Sequence, residues 1–323
     1  MLFTITISYY LYMKLHITFR QLEIFASVAK HLSYTLAAEE LHLSQPAISM
    51  QVKQMENLIG SPLTEKIGRQ LYLTNTGQVV LEYAQKILSS KEVLEEILSS
   101  LEGTEKGHLN LAASETASHF ITLLLAQFRK IHPGITFNLQ IHNRKGLLNC
   151  LKSNQVDLVI MGQTPKDMDL ISEPFMNNPL VIIGPGEQNS KLSGIKKLSE
   201  LMEEQFVVRE PGSGTRIAME RFFSAHKIQL NTSMEMPNNG AIKQAVSAGL
   251  GLGIVSLHTL QQELALDQIQ VLNVKEMPIM RIWYIVHQKQ KVISPAMEVF
   301  KQFVIKQTQP IWTKKYPFLL KHL

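Results

Sequence analysis

One cysteine, Cys150, stands among 323 residues, so no intramolecular disulfide framework is available. A reducing compartment fits that scarcity. Cys150 reads as a small buried hydrophobe, with a reactive thiol as the alternative. Long apolar runs are missing too. The opening MLFTITISYYLY has no positive charge before Lys14 and is shorter than the roughly 20 residues of a membrane helix. Residues 1–13 read as an extension ahead of a more natural start at Met13. No secretory signal and no membrane partner are read from them, and a cytoplasmic protein is expected. Catalytic signatures are absent as well. There is no GxxxxGK[ST] loop, and GLGLG at 249–253 follows a helix and precedes a strand, the reverse of a dinucleotide fingerprint. The histidines are scattered, with no HExxH and no Cys/His cluster, so no metal site, cofactor or catalytic residue is expected.

What is present points to several compact units and an anionic partner. The length exceeds what one ordinary core fills, and the formal charge is +5. Thr18 with Gln21 resembles a capping box, and Leu22, Phe25, Ala26 and Ala29 predict a first helix over about 18–31. Ser33 caps YTLAAEEL, residues 34–41. Then comes LSQPAISMQVKQMENLIG, residues 43–60, with Ser44 as N-cap, Pro46 in the first turn and Gly60 as the stop. Two short helices on a tight link form a helix-turn-helix, whose second member can lie in the DNA major groove.

The outer face of that second helix supports the assignment. Ile48, Val52, Met55 and Ile59 form one stripe, while Pro46, Ser49 and Lys53 leave the other side slim. A groove about 12 Å wide admits a helix whose leading side chains are short. Gln45 can pair bidentately with a base, Ser49 with several bases, Met50 can touch a thymine methyl, and Lys53 suits a phosphate. From Lys14 to Thr76 the charges nearly cancel, so placement outweighs sum. LTEKIGRQLYLTNTG (63–77) predicts a hairpin wing with Arg69 at its tip, either solvated or entering the minor groove.

From Gly77 to Glu102 no proline or internal glycine interrupts the chain. Val80, Ala84, Ile87, Leu94, Leu98 and Leu101 fall at heptad steps broken by Lys91, predicting a long helix that pairs with a second copy; packing on the same chain is the alternative. Energetics agree with pairing. One bidentate base contact discriminates by about 1–3 kcal/mol, whereas useful specificity takes about 4–10 kcal/mol, so two copies are needed.

After Gly103-Thr-Glu-Lys-Gly107 strands and helices alternate, which reads as an α/β unit with parallel sheets in two lobes. The expected bounds are 14–76 for the winged domain, 77–106 for the linker helix and 107–306 for the two-lobed domain. Within the last, lobe I takes about 107–162 and 266–306, lobe II about 163–265, with 307–323 as a tail after a helix from Pro295 to about Lys306. REPGSGTR (209–216) joins a strand to a helix through Gly212-Ser-Gly-Thr, where free N–H groups and the helix dipole favour an anion. Arg216 and Arg209 can add charge, and Ser114 and Thr116 hold the matching position in lobe I. Thr164, Ser213, Gly214 and Thr215 complete the expected effector set. The alternatives are a plain capped turn, a solute-binding protein, or a phosphoribosyl-type transferase, for which FVVRE offers only Glu210.

In this order the elements resemble the LysR-type bacterial transcriptional regulators, over about residues 14–306. SYTLAAEELHLSQPAISMQVKQMENLIGSPL followed by LYLTNTG carries the resemblance, and NRKGLLNCL with REPGSGTR looks like the branch containing regulators of Calvin-cycle operons. The resemblance implies an α+β multidomain protein: a winged helix-turn-helix, a linker helix and a two-lobed effector domain of periplasmic-binding-protein type. It further implies a dimer, often paired into a tetramer, that binds promoter DNA and responds to a small metabolite, here expected to be anionic. Ser44, Gln45, Pro46, Ser49 and Lys53 match the recognition motif, with Ser33 and Arg69 added. Ser114, Thr116 and Thr215 match ligand-contacting turns. Thr64 stands where the family commonly has phenylalanine.

Overall fold

Capping and apolar spacing build the N-terminal unit. The computed structural model describes residues 16–101, 106–165, 167–186, 197–201 and 203–322; the apolar opening with Met13, and residues 102–105 of the expected domain boundary, lie outside them. Thr18 Oγ1 accepts from the Gln21 N–H at 3.2 Å while its own N–H donates to Gln21 Oε1 at 3.0 Å, starting α1 (Phe19–His31). Ser33 caps α2 (Tyr34–Leu41), and Ser44 caps α3 (Gln45–Ile59), which stops at Gly60 with φ +75°. Phe25, Val28, Ala37, Ile48, Val52 and Met55 close a shared core. β1 (Thr64–Ile67) and β2 (Gln70–Leu73) pair antiparallel as the wing. Glu56 Oε1 on α3 accepts from the Leu63 N–H at 2.9 Å and anchors it. At the departure from the family pattern, the Tyr34 and Thr64 hydroxyls are 2.8 Å apart, so a hydrogen bond stands where a phenylalanine would pack.

The long helix α4 (Asn75–Leu101) starts two residues before Gly77. Ala84 is buried in the N-terminal core, and Val80, Leu81 and Leu88 pack against it. The chain divides into compact units at residues 1–95 and 96–323. The expected separate linker over 77–106 is therefore corrected: most of the helix belongs to the N-terminal unit because its apolar side completes that core.

The second unit runs β3 (Gly107–Ser114), α5 (Ser118–Ile131), β4 (Ile135–His142), α6 (Arg144–Lys152), β5 (Leu158–Met161), β6 (Leu170–Asn177) and β7 (Leu180–Pro185). It continues through β8 (Gln205–Arg209), α7 (Gly214–Ala225), β9 (Asn231–Met236), α8 (Asn239–Ser247), β10 (Leu252–Ser256), α9 (Gln261–Ala265), β11 (Ile269–Val271), β12 (Ile282–Gln288) and α10 (Pro295–Lys315). Two five-stranded sheets result, ordered β4-β3-β5-β12-β6 and β11-β7-β10-β8-β9. Both are mixed, correcting the parallel expectation: β12 runs antiparallel to β5 and β6, and β7 antiparallel to β10 and β11. The lobe bounds shift too. β6 lies in the first sheet and β11 in the second, because the chain crosses between lobes at Asn178 and again at Arg281 rather than at 163 and 266. The crossings pair: the Asn178 N–H donates to the Arg281 carbonyl at 2.8 Å and the Arg281 N–H to the Asn178 carbonyl at 3.2 Å.

The expected tail is also corrected. α10 continues nine residues past Lys306, since Phe300, Val304, Thr308 and Trp312 are buried at four-residue spacing. Pro310 is tolerated because the carbonyl that loses its partner, that of Lys306, belongs to an exposed residue. Trp312 packs edge-on to Phe120 and His258, and Leu319 beyond it is buried. His258 Nδ1 accepts from the Trp283 Nε1–H at 3.1 Å, and burial pulls its pKa down to about 3, so it stays neutral. No helix among the described residues is long and apolar enough to cross a membrane. Trp312→Ala is expected to cost about 3–5 kcal/mol in urea titration of the full chain; a loss under about 1 kcal/mol would remove the segment from the core.

Candidate functional site

The exposed side of α3 carries Gln45, Pro46, Ser49, Met50 and Lys53 side by side. It is exposed because Ile48, Val52 and Met55 turn the opposite side into the core. Lys53 Nζ lies 3.3 Å from Glu56 Oε2, yet its side chain is 70% exposed and can swing to an anion. Ser44 and Ser33 use their hydroxyls as caps, accepting from Ala47 N–H at 3.4 Å and Leu36 N–H at 3.3 Å. Arg69 is exposed at the turn between β1 and β2.

On α4 the expected seam divides. Val80 and Ala84 are used inside the N-terminal core, which corrects their place in the set. Ile87, Leu94 and Leu98 are exposed, in line with Tyr83, which the sequence reading omitted. Lys91 breaks the seam because it faces its own domain, 3.6 Å from Glu23 of α1 and 3.4 Å from Glu95. The side chain of Leu101 lies outside the described residues.

In the second unit, the strand-to-helix turns of the two lobes line one cavity. Ser114 and Thr116 come from the end of β3, Ser213, Gly214 and Thr215 from the start of α7, with Asn178 and Arg281 from the crossings. Ser213 is the N-cap of α7, accepting from the Arg216 N–H at 3.3 Å. A clasp bridges the lobes there. Glu115 Oε2 accepts from Arg209 Nη1 at 3.1 Å and from Asn239 Nδ2 at 2.6 Å, and Asn239 Nδ2 also reaches Thr116 Oγ1 at 3.0 Å. Burial raises the Glu115 pKa against the pull of Arg209. The space left is about 50 Å³, far below the roughly 300–1,000 Å³ of a ligand pocket. Asn178 nonetheless keeps a buried Nδ2 without a partner.

The expected charges are redistributed. Arg216 does not line the cavity; it turns to Glu220, to Glu235 at 3.4 Å and to the Arg209 carbonyl at 3.1 Å, which corrects its place in the effector set. Arg209 is buried and neutralised, with Glu210 accepting from its Nε at 2.7 Å and its Nη2 at 3.0 Å. Glu210 is thereby occupied by Arg209. The cavity's unneutralised charges are Arg144 and Arg281, which the sequence reading missed. Arg144 donates to the Gln163 carbonyl, and Arg281 has no hydrogen-bond or carboxylate partner for its guanidinium among the described residues. The signal was an arginine inside the apolar strand IMRIWYIVH. Gly162 makes room for it: a Cβ there would lie 2.3 Å from Arg281 Nη2. Thr164 lines an adjoining cavity instead, its Oγ1 accepting from Ser172 Oγ at 3.2 Å. Cys150 is free and buried, and burial raises its thiol pKa.

Comparison with known proteins agrees with both units. The model for the bacterial regulatory helix-turn-helix protein, lysR family, matches residues 19–78, and that for the LysR substrate binding domain matches 102–309. A RuBisCO operon transcriptional regulator of Allochromatium vinosum is 46% identical over 293 residues, covering 91% of this chain and 97% of the relative. The regulatory domain of Synechocystis PCC6803 CcmR in complex with 2-PG has a TM-score of 0.60 and 34% identity, over 63% of this chain and 98% of that one. Full-length CbnR complexed with its target DNA shares the fold, with a TM-score of 0.64 and 21% identity over 90% of this chain and 100% of that one. The chain belongs to the LysR-type transcriptional regulators, and its relatives include regulators of RuBisCO operons.

Proposed function

We propose that this regulator binds promoter DNA as a dimer or a pair of dimers through Gln45, Ser49 and Lys53 of α3, with Arg69 of the wing, and that a small anionic metabolite between the lobes controls it. The observation that carries the ligand reading is the meeting of two strand-to-helix turns, one per lobe, beside Arg281, whose guanidinium has no carboxylate partner among the described residues. Such turns offer N–H groups and hydroxyls, and Arg281 offers charge in the same confined space. CcmR bound to 2-PG supports a small metabolite as the effector class. A bound anion would compete with Glu115 for Arg209 and loosen the clasp, so the lobes would settle in a different arrangement, a population shift carried to the half-sites. The exposed Tyr83, Ile87, Leu94 and Leu98 would pair two copies, bringing two recognition helices to one operator.

Footprinting on the DNA upstream of its own gene, with and without 2-PG, tests the reading. Gln45→Ala is expected to cut the preference for target over random DNA by about 1–3 kcal/mol, and Lys53→Ala to weaken binding evenly and lower the salt slope by about 1. Both variants matching the parent would remove the DNA face. Thr215→Val should abolish the response to 2-PG and spare DNA affinity; an intact response would discard the cavity. Gly162→Ala displaces the Arg281 guanidinium and should weaken 2-PG by about tenfold or more, with unchanged affinity counting against a role for Arg281.

A further inference from the structure

A second cavity adjoins the first across Arg144, Gly214 and Arg281, which line both. Its volume is about 690 Å³, inside the roughly 300–1,000 Å³ range of small-molecule sites. Three guanidiniums converge there with little to neutralise them. Arg144 donates to the Gln163 carbonyl, Arg221 donates to Gln163 Oε1 at 3.2 Å, and both partners are uncharged. Arg281 has no such partner among the described residues, and burial together with Arg144 and Arg221 pulls its pKa down to about 10. Exposed Asp167 acts on Arg144 without an ion pair among the described residues. Ile217 and Phe222 of α7 and Tyr284 of β12 add apolar surface to the lining. Crowding like charges together is costly unless an anion joins them.

We infer that this cavity is a second ligand site, taking an organic acid whose phosphate or carboxylate meets Arg144, Arg221 and Arg281 and whose apolar body lies on Ile217 and Phe222. Arg221 belongs to this cavity alone, so it separates the two sites. Because both lobes line it, an occupant bears on the same lobe arrangement as a ligand in the first cavity.

Calorimetric titration of the full chain with phenyl phosphate, benzoate, inorganic phosphate and benzyl alcohol tests this. Phenyl phosphate or benzoate should bind at one equivalent per chain, and whichever binds tighter identifies the preferred headgroup. Inorganic phosphate and benzyl alcohol, each lacking half of the chemistry, should bind at least tenfold more weakly. Arg221→Gln should weaken the aromatic acid at least tenfold, Arg221→Lys less, and Thr215→Val should leave it unchanged. Arg221 is exposed, so its variants are expected to fold. Loss with Thr215→Val but not with Arg221→Gln would place the probe in the first cavity and overturn the second site, leaving the first reading intact. Equal binding of benzyl alcohol, or no heat with either acid up to about 10 mM, would also overturn it.

Discussion

A guanidinium held at the lobe crossing without a carboxylate partner among the described residues organises the second unit. Arg281 sits where the returning strand pairs with Asn178, so its backbone is fixed by two hydrogen bonds while its side chain reaches into the space between the lobes. Gly162 leaves it room, and nothing among the described residues neutralises it. Folding tolerates such a charge only as long as the site stays partly hydrated or an anion arrives. Arg209 shows the contrasting solution a short distance along the same cleft. Glu115 and Glu210 satisfy it, and it serves as structure, tying one lobe to the other. One arginine therefore ties the lobes together across the cleft, and another keeps its charge without a carboxylate among the described residues.

The clasp and the crossing act on one degree of freedom. A single apolar core runs through both lobes on the crossing side, from Leu109 and Phe120 to Val181, Val255 and Leu257. The lobes are consequently fused along that side and bridged at the cleft by the Glu115–Arg209 and Asn239 contacts. Packed apolar surfaces resist shear, whereas charge-assisted hydrogen bonds can exchange partners. An effector that supplies new partners for the arginines would shift the lobes without disturbing the core.

The N-terminal unit follows a different logic. Its recognition helix is exposed because the three-helix core uses one side of it, and α4 uses Val80 and Ala84 to finish that core before presenting Ile87, Leu94 and Leu98 outward. One helix thus serves two surfaces in succession. Lys91, which interrupts the apolar series, marks a turn facing Glu23 of its own domain rather than a defect in pairing.

Local features were legible in the residues themselves. The capping box at Thr18, the caps at Ser33, Ser44 and Ser213, the stop at Gly60 and the turn at REPGSGTR each depend on a few neighbouring residues, and they appear where the chain places them. The mixed sheets, β6 in the first lobe and the extension of α10 through Trp312 were not legible, because they depend on partners many tens of residues away along the chain. Arg281 likewise lies far along the chain from Arg216. Proximity in sequence made Arg216 the expected anion contact, but the helical period turns it away from the cavity, toward Glu220, Glu235 and the Arg209 carbonyl. Arg281 reaches the cavity because the chain returns across the lobes. The sequence by itself determined the helices, their caps and the two turns; tertiary structure alone decided which charges remain unpaired, since neutralisation depends on distances that only the assembled lobes set.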